Sequence, residues 1–303
     1  MRATVRVPAT VANLGPGFDM LALALQLQNE VFAESTGDDV VSIAIDGDAD
    51  ADAELLDLAR NLVARAYSEV CSRLEVPTEQ RGVRLRCVNA IPMGRGLGSS
   101  AAATLSGILT AVALHRAPWD EVTILECARH FEGHVDNAAA ALLGGLAICA
   151  PGAAPQRCDV PDELHAIVFA PDLRLATQEA RRAVATSFSR EDAIFNASRC
   201  ALLVRALLLR EYASLREAMD DRWHQAQRGA LFPAMAALIE AAYAGGADGA
   251  CLAGAGPSIL ALTARNPAPV EAALRDAAAR LEVPGVVLLL RPRNFGARVD
   301  VRP

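Results

Sequence analysis

The chain contains no lysine: all 29 basic residues among its 303 are arginine. A Walker A loop needs Lys after its last glycine, and a protein kinase needs a strand Lys on the phosphates. Pyridoxal enzymes and Schiff-base aldolases need a Lys amine. These chemistries are excluded, so a nucleotide enzyme built on this chain must do its electrostatics with arginine, Mg2+ and backbone amides. Aromatic residues are also scarce, at 4%. With a net charge of −7, neither a basic stripe nor a stacking platform is present, and no nucleic-acid partner is expected. The seven cysteines include no C-x-x-C pair and lie mostly in apolar runs, so they read as reduced core residues of a cytoplasmic protein. No apolar run is long enough to span a membrane. Pro8, Gly15, Pro16 and Gly17 break the N-terminus before any signal-peptide core forms.

What is present is concentrated in Pro92-Met93-Gly94-Arg95-Gly96-Leu97-Gly98-Ser99-Ser100-Ala101-Ala102. Glycine at every second position permits positive φ and close approach of a ligand to the backbone. The serines stand where an N-cap and first helical turn belong, so unpaired N–H groups and the positive end of the helix dipole face the loop. That geometry suits a phosphate, with Ser hydroxyls available to a metal ion. A glycine-rich turn that merely caps a core helix is the alternative reading of this segment taken alone.

The 52% hydrophobic content supplies ample core, and the length favours two domains. Strand patterns cover residues 2–7, 31–34, 40–45 and 83–89, with a turn-rich loop at 13–19 between the first two. Helical spacing runs over 55–74, 99–115, 119–131 and 138–143, with a short polar loop at 132–137. The acidic stretch 46–54 fails the calcium-loop pattern at its sixth and twelfth positions, which are Ala51 and Asp57, and reads as a solvated loop. Pro151-Gly152-Ala153-Ala154-Pro155 is the best linker, dividing the chain into 1–155 and 156–303. The second part reads as strand, helices, two strands, helix and further strands, a ferredoxin-like pattern. His130 and His134, four apart, would suit zinc on one helix, but Gly133 falls between them and no third ligand is nearby.

Three separated segments stand together: Pro8 to Asp19 (PATVANLGPGFD), the glycine loop, and Leu252-Ala253-Gly254-Ala255-Gly256-Pro257-Ser258. They resemble, in order and spacing, the three signature motifs of the GHMP small-molecule kinases. Glu132-Gly133-His134-Val135-Asp136-Asn137 and Thr177-Gln178-Glu179-Ala180-Arg181 bring the resemblance closest to the branch acting on homoserine. The resemblance implies an α+β, two-domain fold: an N-terminal nucleotide-binding α+β domain and a C-terminal ferredoxin-like domain, with the active site between them. It further implies ATP as phosphoryl donor, L-homoserine as acceptor, a place in threonine biosynthesis, and a homodimer.

By the same resemblance, residues 92–102 hold the phosphates, Ser100 (or Ser99) and Glu132 hold Mg2+, and Asn61 touches adenine. Asn61 reads equally well as a helix cap. Asp19 and Asp136 are the carboxylates for the acceptor's ammonium, and Arg181 and Arg228 match the arginines that bind its carboxylate and stabilise charge. Asn13, His134 and Asn137 surround the reacting hydroxyl. Arg228 and Asn137 are the expected catalytic pair. Phosphoryl transfer through a loose transition state needs positioning and charge neutralisation more than deprotonation. Direct in-line attack is therefore expected, with Asp136 as a general base the competing reading. A GHMP kinase for an isoprenoid alcohol, or a catalytically silent ligand-binding relative, are the alternative functions.

Overall fold

The computed structural model describes residues 1–47 and 53–303; positions 48–52 of the expected acidic loop lie outside them. Two sheets organise the chain. Strands β1 (Arg2–Asn13), β2 (Gly17–Ser35), β3 (Val41–Gly47), β4 (Val83–Asn89), β5 (Leu146–Ile148) and β6 (Gln156–Cys158) come first, followed by β7 (His165–Pro171), β8 (Gly249–Leu252), β9 (Ile259–Thr263), β10 (Gly285–Leu290) and β11 (Arg298–Arg302). The first sheet has the order β11-β1-β2-β4-β3, with β5 and β6 continuing from β2. Among the described residues, only β3 and β4 run parallel. The second sheet is antiparallel with the order β10-β7-β9-β8. Helices separate β7 from β8, and the Ala268–Arg280 helix separates β9 from β10, which is the ferredoxin-like arrangement.

Two strands depart from the sequence expectation. β6 pairs with β5, and β11 pairs with β1 from Arg2↔Arg302 to Arg6↔Arg298. The first sheet therefore takes in two strands that follow Pro155 in the chain. The last strand closes the first sheet, because β1 offers it an open edge. The loop expected over 13–19 is also shorter, since the β1–β2 hairpin turns within residues 14–16. Asn13, Leu14 and Gly15 all have positive φ (72°, 49° and 87°), which reverses the chain in very few residues; Asn and Gly tolerate this region, whereas Leu14 is an outlier held by full burial.

The helix expected from 55 begins instead at Leu62. Asn61 Oδ1 accepts the N–H groups of Val63 and Ala64 (2.9 and 3.1 Å), satisfying two of the free donors at the helix start. The Ser99–Leu114 helix is buried along most of its length and carries Ala101, Ala102, Leu105, Ile108 and Ala111 into the core. Its small residues let the Leu62–Arg73 helix approach closely. A Cβ at Gly107 would stand 2.2 Å from the Val63 carbonyl oxygen. This packed pair fixes where the Ser99 helix begins, and so where its N-terminal amides point.

Candidate active site

Gly94, Gly96 and Gly98 all have positive φ (65°, 78° and 71°). At the last two, packing requires glycine as well. A Cβ on Gly96 would lie 2.1 Å from the Ala253 carbonyl oxygen, and one on Gly98 would lie 2.0 Å from Thr10 Oγ1. The loop thus rests on the two other glycine-containing segments, and the Thr10 N–H donates to the Leu97 carbonyl (3.1 Å). Gly98 stands at the N-cap with no side-chain cap bond, which leaves first-turn amides for an anion. The Ala102 N–H is already spent on the Gly98 carbonyl (2.9 Å), and Leu97, Ala101 and Ala102 are buried; of these three, only backbone can serve a ligand. Beside the loop lies a cavity of 220 Å3 lined by Asn89 to Met93, Arg95 and Arg174. Asn61 has its amide largely engaged, since Nδ2 also donates to the Leu55 carbonyl (2.7 Å), so at most one N–H remains for adenine.

Glu132 ends the Glu121–Glu132 helix, which Gly133 terminates at φ 79°. Its Oε1 accepts from Ser100 Oγ at 2.5 Å and from Thr104 Oγ1 at 3.1 Å. Of the two candidate serines, Ser100 is the one that meets Glu132. Thr104, one turn further along the helix, escapes a reading of the sequence, because nothing local marks a mid-helix threonine as a site residue. Two hydroxyls, that of Thr104 fully buried, and a carboxylate beside the glycine loop form an oxygen-only set of the kind that suits a hard cation.

Elsewhere in the site, Phe18 forms a floor with Arg181 and Arg228 over its ring, at 5.6 and 5.4 Å from the centroid. Asp19, with φ 57°, is gripped by Arg181 through two bonds of 2.5 and 3.0 Å. His134 Nδ1 lies 2.6 Å from Asp136 Oδ1, which also accepts the Asn137 N–H (2.7 Å). Asn137 Oδ1 accepts from Thr10 Oγ1 (2.7 Å), and Asn13 Nδ2 donates to the Gly254 carbonyl (2.8 Å). Asp19, His134 and Asp136 place ligating atoms within 4.8 Å of one another, the one such trio among the described residues. His130 turns away onto Phe131, so the two histidines do not form a zinc pair. A 540 Å3 cavity opens from Asp19 and His134 toward Leu125, Arg129 and Pro151.

Arg228 is 3% exposed. It donates through Nε to the Ala180 carbonyl (3.1 Å) and through Nη1 to the Gly254 carbonyl (2.9 Å) and His224 Nδ1 (3.0 Å). Burial, and then the neighbouring Arg181, bring its pKa down to about 10, so it remains a cation at neutral pH. Among the described residues it has no carboxylate within ion-pair distance, unlike Arg181. Burial opposes protonation of His134, but the hydrogen bond and charge of Asp136 prevail and raise its pKa.

His224 behaves oppositely. Burial takes its pKa from 6.5 down to about 4, Arg228 pushes the same way, and Asp221 pulls against them. A group neutral in the fold but protonated in the unfolded chain contributes stability above pH 6.5 that is lost as the pH falls toward 4. His115 and His165 shift in the same direction, whereas His134 works against them. Denaturant unfolding at a series of pH values should show stability declining over this window, and His224→Gln should flatten that decline. An unchanged slope in the variant would contradict a neutral, buried His224.

Residues 61–145 match the family described as GHMP kinases N terminal domain, and residues 203–282 match GHMP kinases C terminal. A homoserine kinase of Microchaete diplosiphon is 39% identical over 299 residues, covering 97% of this chain and 96% of that protein. The crystal structure of homoserine kinase from Cytophaga hutchinsonii superposes with a TM-score of 0.88 at 25% identity, covering 99% of this chain and 97% of that one. L. major mevalonate kinase, solved with R-mevalonate, shares the fold with a TM-score of 0.73 at 15% identity, covering 96% of both chains.

Proposed function

The chain belongs to the GHMP kinases, and within them to the homoserine kinases; from that premise we propose that it transfers the γ-phosphoryl group of ATP to the side-chain hydroxyl of L-homoserine. The product, O-phospho-L-homoserine, lies in threonine biosynthesis. The observation that carries the proposal is the charge pattern around Phe18. Carboxylates Asp19 and Asp136 and guanidiniums Arg181 and Arg228 converge beside a phosphate-type loop. Homoserine presents an ammonium, a carboxylate and a hydroxyl, and this set offers a counterpart to each. An isoprenoid alcohol has no ammonium and would offer Asp19 nothing in exchange for its Arg181 partner.

Residues 1–155 supply the nucleotide side and residues 156–303 bring the two arginines to it. Loop residues 92–102 cradle the phosphates, with Ser100, Thr104 and Glu132 the oxygen ligands that would hold Mg2+. The ion would neutralise phosphate charge there. Asp19 takes the ammonium, and Arg181 and Arg228 take the carboxylate. Asn137, oriented by Thr10, and His134, oriented by Asp136, hold the hydroxyl in line with the γ-phosphoryl group. Asp136 is 1% exposed and covered by His134, which favours in-line attack without an aspartate base over the alternative. A homodimer in the cytoplasm completes the proposal, and sedimentation of the purified protein reads its oligomeric state.

The Arg181–Asp19 ion pair is already closed, so a zwitterionic substrate must enter by exchanging one ion pair for two. Both side chains are about one-third exposed (34% and 36%), which makes such an exchange inexpensive. Arg181→Ala should raise KM for homoserine at least ~10-fold with only a modest loss of kcat, as loss of a charge-assisted contact made in both ground and transition states requires. Unchanged KM would remove Arg181 from the acceptor site. The function itself is tested by a coupled ATP-consumption screen with homoserine, threonine, serine and mevalonate. Homoserine is expected to give the highest kcat/KM, and a higher value for mevalonate would overturn the assignment.

A further inference from the structure

We infer that His224 is a positioning residue that holds the Arg228 guanidinium in its working orientation by accepting a hydrogen bond without neutralising the charge. This rests on the proposed role of Arg228 at the acceptor and phosphoryl group. His224 is fully buried, at 0% exposure, one turn before Arg228 at the N-cap of the Gln225–Arg228 helix. Its two ring nitrogens have partners of opposite demand. Nε2 lies 2.8 Å from the Gly15 carbonyl oxygen, which can only accept, and Nδ1 lies 3.0 Å from Arg228 Nη1, which can only donate. The proton is therefore on Nε2 and the Nδ1 lone pair faces the guanidinium. A protonated imidazole would point a second N–H at the cation and break the contact.

The chemistry of the acceptor matters. An aspartate in this place would pair with Arg228 and compete with an anionic ligand for its charge. An imidazole fixes direction and leaves the charge available, as do the Ala180 and Gly254 carbonyls. The imidazole is itself held from both sides. Asp221 accepts the backbone N–H groups of Trp223, His224 and Gln225 (2.9, 2.9 and 2.8 Å), which shapes the turn leading into the helix. The bond to Gly15 ties the ring to the positive-φ hairpin turn that also presents Phe18, whose ring lies 5.4 Å from the His224 ring. His224 thus couples the arginine to the floor over which the acceptor binds.

The test uses three variants assayed with ATP and homoserine, each normalised to folded protein by thermal melting. An asparagine can return an acceptor oxygen near the place of Nδ1, whereas glutamine returns a donor near Nε2 and phenylalanine returns neither. His224→Phe and His224→Gln should lose roughly 10- to 100-fold in kcat with little change in KM for ATP, and His224→Asn should keep kcat within about 5-fold of wild type. In an Arg228→Ala background, His224→Phe should add less than about 3-fold, because both changes remove one unit. Full kcat per folded molecule in His224→Phe, or losses that add fully to Arg228→Ala, would overturn the inference. Equal behaviour of the Asn and Gln variants would overturn it too. The tautomer is read independently by 15N NMR of the wild-type imidazole. A proton on Nε2, with an Nδ1 shift that moves on Arg228→Ala, supports the assignment even if homoserine proves not to be the acceptor. A proton on Nδ1 contradicts it whatever the acceptor.

Discussion

Arg228→Ala is expected to lower kcat by roughly 10³ or more, a barrier increase of about 4 kcal/mol, with a smaller change in KM for homoserine. The guanidinium is buried, is held by neutral acceptors, and has no carboxylate partner among the described residues. Its charge is therefore reserved for a ligand, where desolvation makes it most effective against charge developing on the migrating phosphoryl group. Arg228→Lys should not restore the rate fully, because a point ammonium cannot reproduce the planar fork that reaches Ala180, Gly254 and His224 together. Removing the side chain also takes a donor from the buried Ala180 carbonyl and His224 Nδ1, so a melting curve must accompany the kinetics. An effect confined to KM would make Arg228 a binding residue and end its transition-state role.

Glu132→Gln is expected to cut kcat/KM for ATP by about 10² at limiting Mg2+ and to recover in part as Mg2+ is raised, since a hard cation loses an anionic oxygen ligand. Homoserine affinity should change little. The substitution discriminates well because glutamine can still accept from Ser100 and Thr104, which now share Glu132 Oε1. If the carboxylate served only to anchor those hydroxyls, activity at limiting Mg2+ would stay near wild type, and Glu132 would leave the metal site.

The features of this molecule that depend on near neighbours in the chain are legible in its sequence. The glycine loop, β4 before it and the Ser99–Leu114 helix after it follow from alternating glycines, strand alternation and an alanine-rich helical run. Asn61 reads as a cap and has that geometry in the fold; it starts the Leu62–Arg73 helix and separates it from a short helix over Ala53–Leu56. What is not legible depends on partners far away. β11 closes onto β1 across almost the whole chain, and no pattern in 298–302 says which sheet it will join. Asp19 and Arg181 are each identifiable as charged acceptor-site residues, by resemblance, but their mutual pairing spans 162 positions. Thr104 and His224 look like ordinary helix and turn residues, and only packing turns their polar atoms toward Glu132 and Arg228. A signal for His224 does exist in its i, i+4 spacing from Arg228, which places the two on one face of a helical turn.

Zwitterion recognition by Asp19 together with Arg181 and Arg228 is tested most directly by kcat/KM for three acceptors measured side by side. These are L-homoserine, γ-hydroxybutyrate, which lacks the ammonium, and aminopropanol, which lacks the carboxylate. Homoserine should exceed each truncated acceptor by at least about 10²-fold, because each truncation removes one of the two charge-assisted contacts that orient the substrate. A truncated acceptor that matches or outperforms homoserine would contradict the assignment of these charges to the substrate.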